Sequence, residues 1–293
     1  MGVRSDLRRV ARGWRWGHPS FGKVDRQAED FDTSWARRYP AKVARDAILD
    51  LALGPIIAAY CHPRVVGAGN LAGLRHPVVF AANHTSHLDT PVTLRALPRA
   101  WRDRTAVVAA ADYFYKRRSM GALVSLTFNT VPIERRRLSE TSARRIERLI
   151  HDHWSVLVFP EGTRSEDGWV GIVRGGAGFL SVANGIPLVP IYVSGTFEAM
   201  PRGRSWPRHH PVTVYIGTPL HPQPGEDHRG MTRRFRAALD RLADESRTDW
   251  WQAALRAGRG ESPPSTGPHA AQWRRSWERT RPRAGFRGIR TSR

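Results

Sequence analysis

The chain of 293 residues is long enough for one large domain or two small ones, and with 40% hydrophobic residues it can bury a sizeable core. Its single cysteine excludes an intramolecular disulfide and disfavours a cysteine-based zinc site. The formal charge of +21 favours polyanionic partners, namely nucleic acid, anionic lipid headgroups or phosphorylated substrates, without choosing among them.

The first part of the chain predicts a basic arm followed by helices. Residues 1–39 form the arm, which is rich in arginine and lacks the apolar core of a secretory signal. Helices are expected over residues 40–60, with a break at Gly54-Pro55. The apolar stretch Ala47–Tyr60 is too short to span a bilayer. We therefore predict an N-terminal helical interfacial segment that lies on a membrane surface.

Strands and helices alternate between residues 65 and 220. The apolar runs that predict buried strands are "HPVVFAAN", "TAVVAAA", "TVPIE", "SVLVFP", "IPLVPIYV" and "VTVYIG". Helices are expected near Ser119–Phe128, from Ser139 to about His153, and over "GGAGFLSVAN". This alternation predicts an α/β fold with a mixed, largely parallel sheet flanked by helices.

The last third of the chain predicts a helix and then a tail. The pattern over Met231–Leu255 predicts one long helix, residues 231–255, which closes a folded domain of residues 40–256. From Ala257 onward the chain is rich in Gly, Pro, Ser and Arg. Residues 257–293 are therefore predicted to be a disordered basic tail.

The stretch "NHTSHLDT" follows the first strand of the predicted α/β core and places His84 and Asp89 at its carboxyl end, where open α/β sheets hold their sites. Imidazole suits general base catalysis near neutral pH, and a carboxylate can orient it. The spacing alone favours a helix-capping or core histidine instead. His87 has the spacing of a metal ligand, but no second ligand pair accompanies it, so we expect no metal site.

The stretch "FPEGTRS", Phe159–Ser165, carries charged residues directly after a buried strand. Gly162 permits a tight turn and close approach of the backbone to a ligand. Arg164 is suited to hold a phosphate, and Glu161 to accept a hydrogen bond from a substrate hydroxyl. The alternative is a solvated turn with an internal Glu–Arg pair. The position at a hydrophobic strand end favours the functional interpretation.

Four segments in this order resemble the four-block pattern of the glycerolipid acyltransferases, the lysophosphatidate acyltransferase family. The blocks read N-H-x-S-x-x-D, a strand that ends in an acid and Arg, F-P-E-G-T-R-S, and an apolar run with two prolines. The matching residues are, block by block, Asn83, His84, Ser86 and Asp89; Val131 to Glu134 and Arg135; Phe159 to Ser165; and Ile186 to Ile191. The resemblance covers roughly residues 65–220, and the joint match is specific although each block alone is not.

The resemblance implies roles for these residues. His84 would remove the proton from an acceptor hydroxyl, and Asp89 would orient His84. The attacked carbonyl would belong to the thioester of acyl-CoA or of an acyl carrier protein, which is a co-substrate, and the resemblance implies no cofactor and no metal. The residues implied for binding the glycerophosphate part of the acceptor are Arg135, Glu161, Gly162, Thr163 and Arg164.

The predicted function is therefore O-acyl transfer to a lysophospholipid, with 1-acyl-glycerol-3-phosphate as the default acceptor, in phospholipid biosynthesis. The expected location is the cytoplasmic face of a membrane, with the protein bound peripherally to anionic lipid. Glycerol-3-phosphate or a glycolipid remains open as the acceptor, and a thioesterase can use the same histidine. A basic nucleic-acid-binding protein is the alternative from another class, but the sequence has no helix-turn-helix, zinc or RNP pattern, so we expect no nucleic-acid partner.

Overall fold

The computed structural model describes residues 31–133 and 140–280. In these ranges seven strands form one sheet in the order β1-β7-β6-β2-β5-β3-β4. The strands are β1 (Arg64–Val66), β2 (Val79–Ala82), β3 (Thr105–Ala110), β4 (Thr130–Ile133), β5 (Ser155–Val158), β6 (Leu188–Ser194) and β7 (Thr213–Ile216). Neighbouring strands are parallel except for the antiparallel pair β6–β7. The predicted α/β fold with a mixed, largely parallel sheet is confirmed.

Helices cover both faces of this sheet. They are α1 (Tyr39–Ala47), α2 (Gly54–Cys61), α3 (Asp89–Ala96), α4 (Arg99–Arg102), α5 (Ala111–Phe114), α6 (Arg118–Phe128), α7 (Glu140–His151), α8 (Gly176–Asn184), α9 (Thr196–Ala199), α10 (His228–Glu245), α11 (Trp250–Arg259) and α12 (Gln272–Thr280). Phe235 and Leu239 of α10 are buried on one face, and Phe80 and Leu94 on the other. Because both faces are covered, β2 and β5 are buried at every position. Their sequences therefore read as continuous apolar runs.

The N-terminal helical segment follows a continuous helical path over residues 39–61. The predicted break is a change of helix type, because a π-helical stretch, Ile48–Leu53, joins α1 to α2. Pro55 lies in the first turn of α2, directly after this π-helical stretch. Within the described ranges, 31–133 and 140–280, no helix combines the length and apolar character needed to cross a bilayer.

An ion-pair cluster fastens this segment to the domain. Asp50 in the π-helical stretch accepts hydrogen bonds from Arg102 at 2.9 and 2.8 Å and from Arg95 at 2.7 Å. Arg95 also donates to the carbonyl of Leu49 at 2.7 Å. These contacts tie the segment to α3 and α4, the first of which begins at the predicted catalytic aspartate.

The prediction of one long helix over residues 231–255 is wrong. The structure has two helices, α10 and α11, because the chain turns at residues 246–249. The side chain of Asp249 accepts a hydrogen bond from the Gln252 N–H at 2.9 Å and caps a new helix. Thr248 donates to the carbonyl of Asp244 at 2.9 Å and stabilises the end of α10.

The prediction of disorder from residue 257 is wrong for residues 257–280. After α11 the chain forms a segment, residues 261–280, which we call the strap and which ends in α12. Ser265 is buried; its carbonyl accepts from the Val170 N–H at 3.1 Å, and its N–H donates to Asp240 at 2.7 Å. Specific polar contacts order this segment despite its low apolar content. The rest of the predicted tail, 281–293, and residues 1–30 of the predicted arm lie outside the described residues.

Candidate active site

The structure brings His84 and Asp89 together in the turn between β2 and α3. The His84 Nδ1 atom lies 2.9 Å from Asp89 Oδ2. Asp89 is fully buried, whereas the His84 side chain is 19% exposed. A carboxylate that accepts from Nδ1–H leaves the lone pair of neutral imidazole on Nε2. His84 therefore presents Nε2 as the nitrogen that can accept a proton.

Asp89 is held by a cradle of donors besides the imidazole. The backbone N–H groups of Thr85 and Ser86 donate to Oδ2 at 2.6 and 2.8 Å, and the Thr196 hydroxyl donates to Oδ1 at 2.5 Å. Burying a carboxylate is costly unless hydrogen bonds replace its water. Asp89 also lies in the first turn of α3, where the helix dipole favours negative charge. The carboxylate is thus fixed in place before any substrate arrives.

Glu161 occupies a different place from the one predicted. Its side chain is buried, and its two oxygens accept from the backbone N–H groups of His84 and Gly171, each at 2.6 Å. Burial raises the pKa of Glu161 to about 8, although these two hydrogen bonds act in the opposite direction. Because the buried Glu161 side chain accepts from two backbone donors and does not line the cavity, the expectation that it accepts from a substrate hydroxyl is corrected. Glu161 supports the backbone of His84 instead.

The rest of the "FPEGTRS" turn lies beside His84. The Ser165 N–H donates to the His84 carbonyl at 2.8 Å, and the Phe159 ring stacks on the imidazole with centroids 4.2 Å apart. Gly162 adopts a φ of +72°, in the left-handed region that favours glycine. The first and third motifs therefore form one site. Arg135 and Glu134, from the second motif, lie outside the described residues.

A cavity of about 700 Å³ opens beside His84. Gly162, Thr163 and Arg164 line it together with His84. Its apolar lining comes from β3, β4, α6 and α8 and includes Val107, Ala109, Val124, Phe128, Ile133 and Leu180. The lining extends from Phe159, which stacks on His84, across β5 to β3 and β4 at the edge of the sheet. Such a volume and lining are typical of a small-molecule site.

Sequence reasoning missed two residues of this site, Thr196 and Arg202, and named Asn83 only as a motif match that shapes the turn. The Asn83 side chain donates to the Val193 carbonyl at 3.0 Å and accepts from its N–H at 2.6 Å, which joins the ends of β2 and β6. Thr196, the donor to Asp89, follows β6 directly, and Arg202 lines the cavity further on. The signal was available, because the carboxyl ends of neighbouring parallel strands converge at one edge of the sheet.

His87 lies at the edge of the cavity rather than in a metal site. Its ring packs beside Tyr113 and Phe114, with centroids 6.0 and 6.4 Å away. Among residues 31–133 and 140–280, no three His, Cys, Asp or Glu side chains are grouped so that they can hold a metal ion.

Comparison with known proteins agrees with the motifs. Residues 62–194 match the family model described as Acyltransferase. Over 162 residues, 54% of this chain, the sequence is 32% identical to chloroplastic 1-acyl-sn-glycerol-3-phosphate acyltransferases of Brassica napus and Arabidopsis thaliana. The matched segment spans 44% and 43% of those two proteins, which is less than half of their length.

A solved structure shares the fold. The 1-acyl-sn-glycerophosphate (LPA) acyltransferase PlsC of Thermotoga maritima superposes with a TM-score of 0.57 at 22% identity, over 76% of this chain and 87% of that one. The family match covers β1 to β6 and includes His84, Asp89 and the "FPEGTRS" turn. Residues 62–194 of this chain are therefore a domain of the acyltransferase family, as the four motifs predicted.

Proposed function

We propose that this chain transfers a fatty acyl group from a thioester to the hydroxyl of a lysophospholipid, with 1-acyl-glycerol-3-phosphate as the acceptor. The observation that carries the proposal is the His84–Asp89 pair at 2.9 Å, which borders a largely apolar cavity of about 700 Å³. The relatives that match the chain are named for the same reaction. The donor is acyl-CoA or an acyl carrier protein as co-substrate, and the proposal needs no resident cofactor.

In the proposed reaction His84 acts as general base and then as general acid. Nε2 takes the proton of the acceptor hydroxyl while the hydroxyl oxygen forms a bond to the thioester carbonyl carbon. Collapse of the tetrahedral intermediate breaks the carbon–sulfur bond, and the departing thiolate takes the proton back from Nε2. Asp89 stabilises the imidazolium between these steps, and its fixed cradle keeps the ring oriented. No covalent acyl-enzyme is required.

The cavity lining offers polar contacts to one part of the substrate and apolar contacts to another. Arg164 and Arg202 line the cavity and are suited to bind the phosphate of the acceptor, because guanidinium matches phosphate geometry. Gly162 and Thr163 bring the turn close to the same group. Arg135 is proposed as a further phosphate ligand from its motif alone. The apolar part of the lining is suited to hold the acyl chain.

Exposed apolar residues support a peripheral location on a membrane. Tyr39 and Leu51 on the N-terminal helical segment are 78% and 77% exposed, and Met120 and Leu123 on α6 are also exposed. Because α1 packs against α6 and Met120 lines the cavity, the helical elements that carry these exposed side chains lie next to the cavity. Exposed apolar side chains mark interaction sites when they are grouped, and the net charge of +21 favours anionic lipid. We propose that these helical elements rest on the cytoplasmic leaflet.

An acceptor panel tests the proposed reaction. The full chain is incubated with acyl-CoA or an acyl carrier protein thioester, and with lysophosphatidate, glycerol-3-phosphate, a glycolipid or no acceptor, while free thiol and lipid product are followed. Thiol release that requires lysophosphatidate and matches diacyl product is the expected result. Thiol release at the same rate without acceptor means that the protein is a thioesterase and rejects the proposal.

A further inference from the structure

The strap contacts the loop that supports His84 through Arg275. Arg275 Nε donates to Asp167 Oδ2 at 2.6 Å, and Asp167 Oδ1 accepts from the Ser165 hydroxyl at 3.1 Å. Ser165 in turn donates its N–H to the His84 carbonyl at 2.8 Å. Arg275 is thus joined to the backbone of His84 by three consecutive hydrogen bonds.

Arg279, one helical turn later, contacts both the same loop and α9. It donates to the carbonyl of Gly168 and, at 2.6 Å, to Glu198 Oε1, and its guanidinium lies over the Phe197 ring, 4.7 Å from the centroid. Phe197 and Glu198 directly follow Thr196, the hydroxyl donor to Asp89. The Arg279 side chain is only 15% exposed. Arg279 therefore links the loop beside His84 to α9, the helix whose Thr196 hydroxyl donates to Asp89.

The contact between the strap and this loop is close-packed. The Trp169 indole N–H donates to the Arg275 carbonyl at 3.0 Å, and a Cβ built on Gly267 would lie 2.3 Å from the indole ring. A Cβ on Gly168 would lie 2.4 Å from the Arg279 guanidinium. The same loop ends at Gly171, which donates to Glu161. The strap therefore leaves this loop little freedom to move away from His84.

A second cavity separates the strap from the catalytic pair. It has a volume of about 510 Å³ and a polar lining that includes Thr85, Trp169, Glu198 and Arg279. Thr85, which donates its N–H to Asp89, lines this second cavity together with Arg279, and neither residue lines the apolar cavity. The strap therefore faces the catalytic pair from a different side than the apolar cavity does. Its arginines are therefore placed to act on the geometry of the pair rather than on the substrate.

We propose that Arg275 and Arg279 are positioning residues that hold the donor cradle of His84 and Asp89 in place. Arg275 fastens the 165–171 loop to the strap, and Arg279 joins that loop to α9. This inference rests on the proposed acyl transfer. A displacement of about 1 Å of a catalytic group can lower a rate about 100-fold, so two ion pairs outside the cavity are able to affect catalysis. The strap lies outside residues 62–194, which match the family model.

The test compares the Arg275→Ala/Arg279→Ala double variant with Arg274→Ala in the full chain. Arg274 is an exposed neighbour on α12, and Arg274→Ala is the control for the loss of one positive charge from this helix. We expect kcat to fall at least about tenfold in the double variant while KM for the acceptor stays within about threefold, because substrate contacts are unchanged. Arg279→Lys restores a donor to Glu198 and is expected to recover part of the loss.

Amide hydrogen exchange provides a readout that does not depend on activity. The N–H groups of His84, Thr85 and Ser86 are the ones bound by Glu161 and Asp89, so a peptide that covers them reports the cradle directly. Faster exchange in this peptide in the double variant, but not in Arg274→Ala, supports the inference. If exchange is faster in the double variant but the wild-type protein transfers no acyl group, the proposed function fails, while the structural link between the strap and the cradle is still supported.

A milder variant covers the case in which the double variant does not fold. Asp167→Asn loosens the same connection from the other side and leaves both strap arginines in place. We expect it to lower kcat as Arg275→Ala does, and the combination of Asp167→Asn with Arg275→Ala to be no worse than either alone, since both break one connection. A kcat within about twofold of wild type for these variants, or additive losses, would overturn the inference.

Discussion

The two sides of the His84–Asp89 pair differ in the kind of contact they make: one side is lined by apolar side chains and the other by hydrogen-bonded groups. The cavity side is mostly apolar and consists of side chains from β3, β4, α6 and α8. The other side is a chain of hydrogen bonds in which Asp89, Glu161 and Asp167 each accept from more than one donor. Apolar walls tolerate changes of substrate length, whereas hydrogen-bonded supports tolerate little displacement. Substitutions on the cavity side should therefore change which substrate is used, and those on the supported side should change the rate.

The largest effect on the supported side is expected for Asp89→Asn. The amide keeps the shape of the side chain but presents an NH₂ group to donors, so it cannot stabilise the imidazolium or fix its tautomer. We expect kcat to fall roughly 10²–10⁴-fold with little change in KM. Steady-state kinetics measure this, with Asp152→Asn, at an exposed turn, as control. A raised KM with kcat intact would assign Asp89 to substrate binding instead.

The next largest effect on the supported side is expected for Glu161→Gln. One of the two backbone donors, from His84 or Gly171, then faces an amide NH₂, which costs about 1–3 kcal/mol. We expect a roughly tenfold lower kcat, a lower melting temperature and an unchanged acceptor KM, because the side chain does not line the cavity. The opposite pattern, a raised acceptor KM with full kcat and stability, would favour the original interpretation of Glu161 as a substrate ligand.

On the cavity side, Val124→Phe should change substrate choice rather than catalysis. Val124 is buried on α6 and lines the cavity, so a larger ring shortens the space for the acyl chain. We expect the kcat/KM ratio of long to short acyl thioesters to fall roughly tenfold while the rate with the short donor is retained. Ser119→Phe, at an exposed position on the same helix, is the control. An unchanged ratio would mean that the acyl chain does not enter this part of the cavity.

The last prediction concerns the pH dependence of stability that Glu161 should cause. Its pKa is about 8 in the folded protein, against an ordinary value of 4.5, so the folded state binds more protons between these values. The free energy of unfolding should therefore decrease as pH rises from about 4.5 to about 8 and then lose this dependence. Denaturant unfolding of wild type and Glu161→Gln over this range isolates the contribution. Parallel curves for the two proteins would show that Glu161 is ionised throughout.

The sequence predicted those contacts of the site that are made between residues close together in the chain. His84 and Asp89 are five residues apart, and a turn that begins a helix brings them together, so their contact followed from the motif. The donor Thr196 lies 107 residues from Asp89, and sequence spacing does not reveal such a contact. Motif matching also names a residue type without the direction of its side chain, which is why Glu161 was assigned to the substrate.

The strap shows why composition misled. Low apolar content predicts disorder because little surface can be buried. Residues 261–280 are instead ordered by arginine side chains and backbone hydrogen bonds, with Asp167 and Glu198 as acceptors about 108 and 81 residues away. An arginine-rich composition is therefore compatible with a disordered segment and with a segment ordered by specific ion pairs. The fold decides between them, because it determines whether acceptors such as Asp167 and Glu198 lie within reach.

The role of His84 as the base is the point on which the rest depends. Labelled acyl thioester and lysophosphatidate are supplied to wild type, to His84→Ala, and to His151→Ala, a control at a highly exposed position. We predict that His84→Ala lowers the rate of diacyl product formation roughly 10²–10⁴-fold while the protein stays folded, and that His151→Ala matches wild type. Product formation by His84→Ala at the wild-type rate would contradict the mechanism.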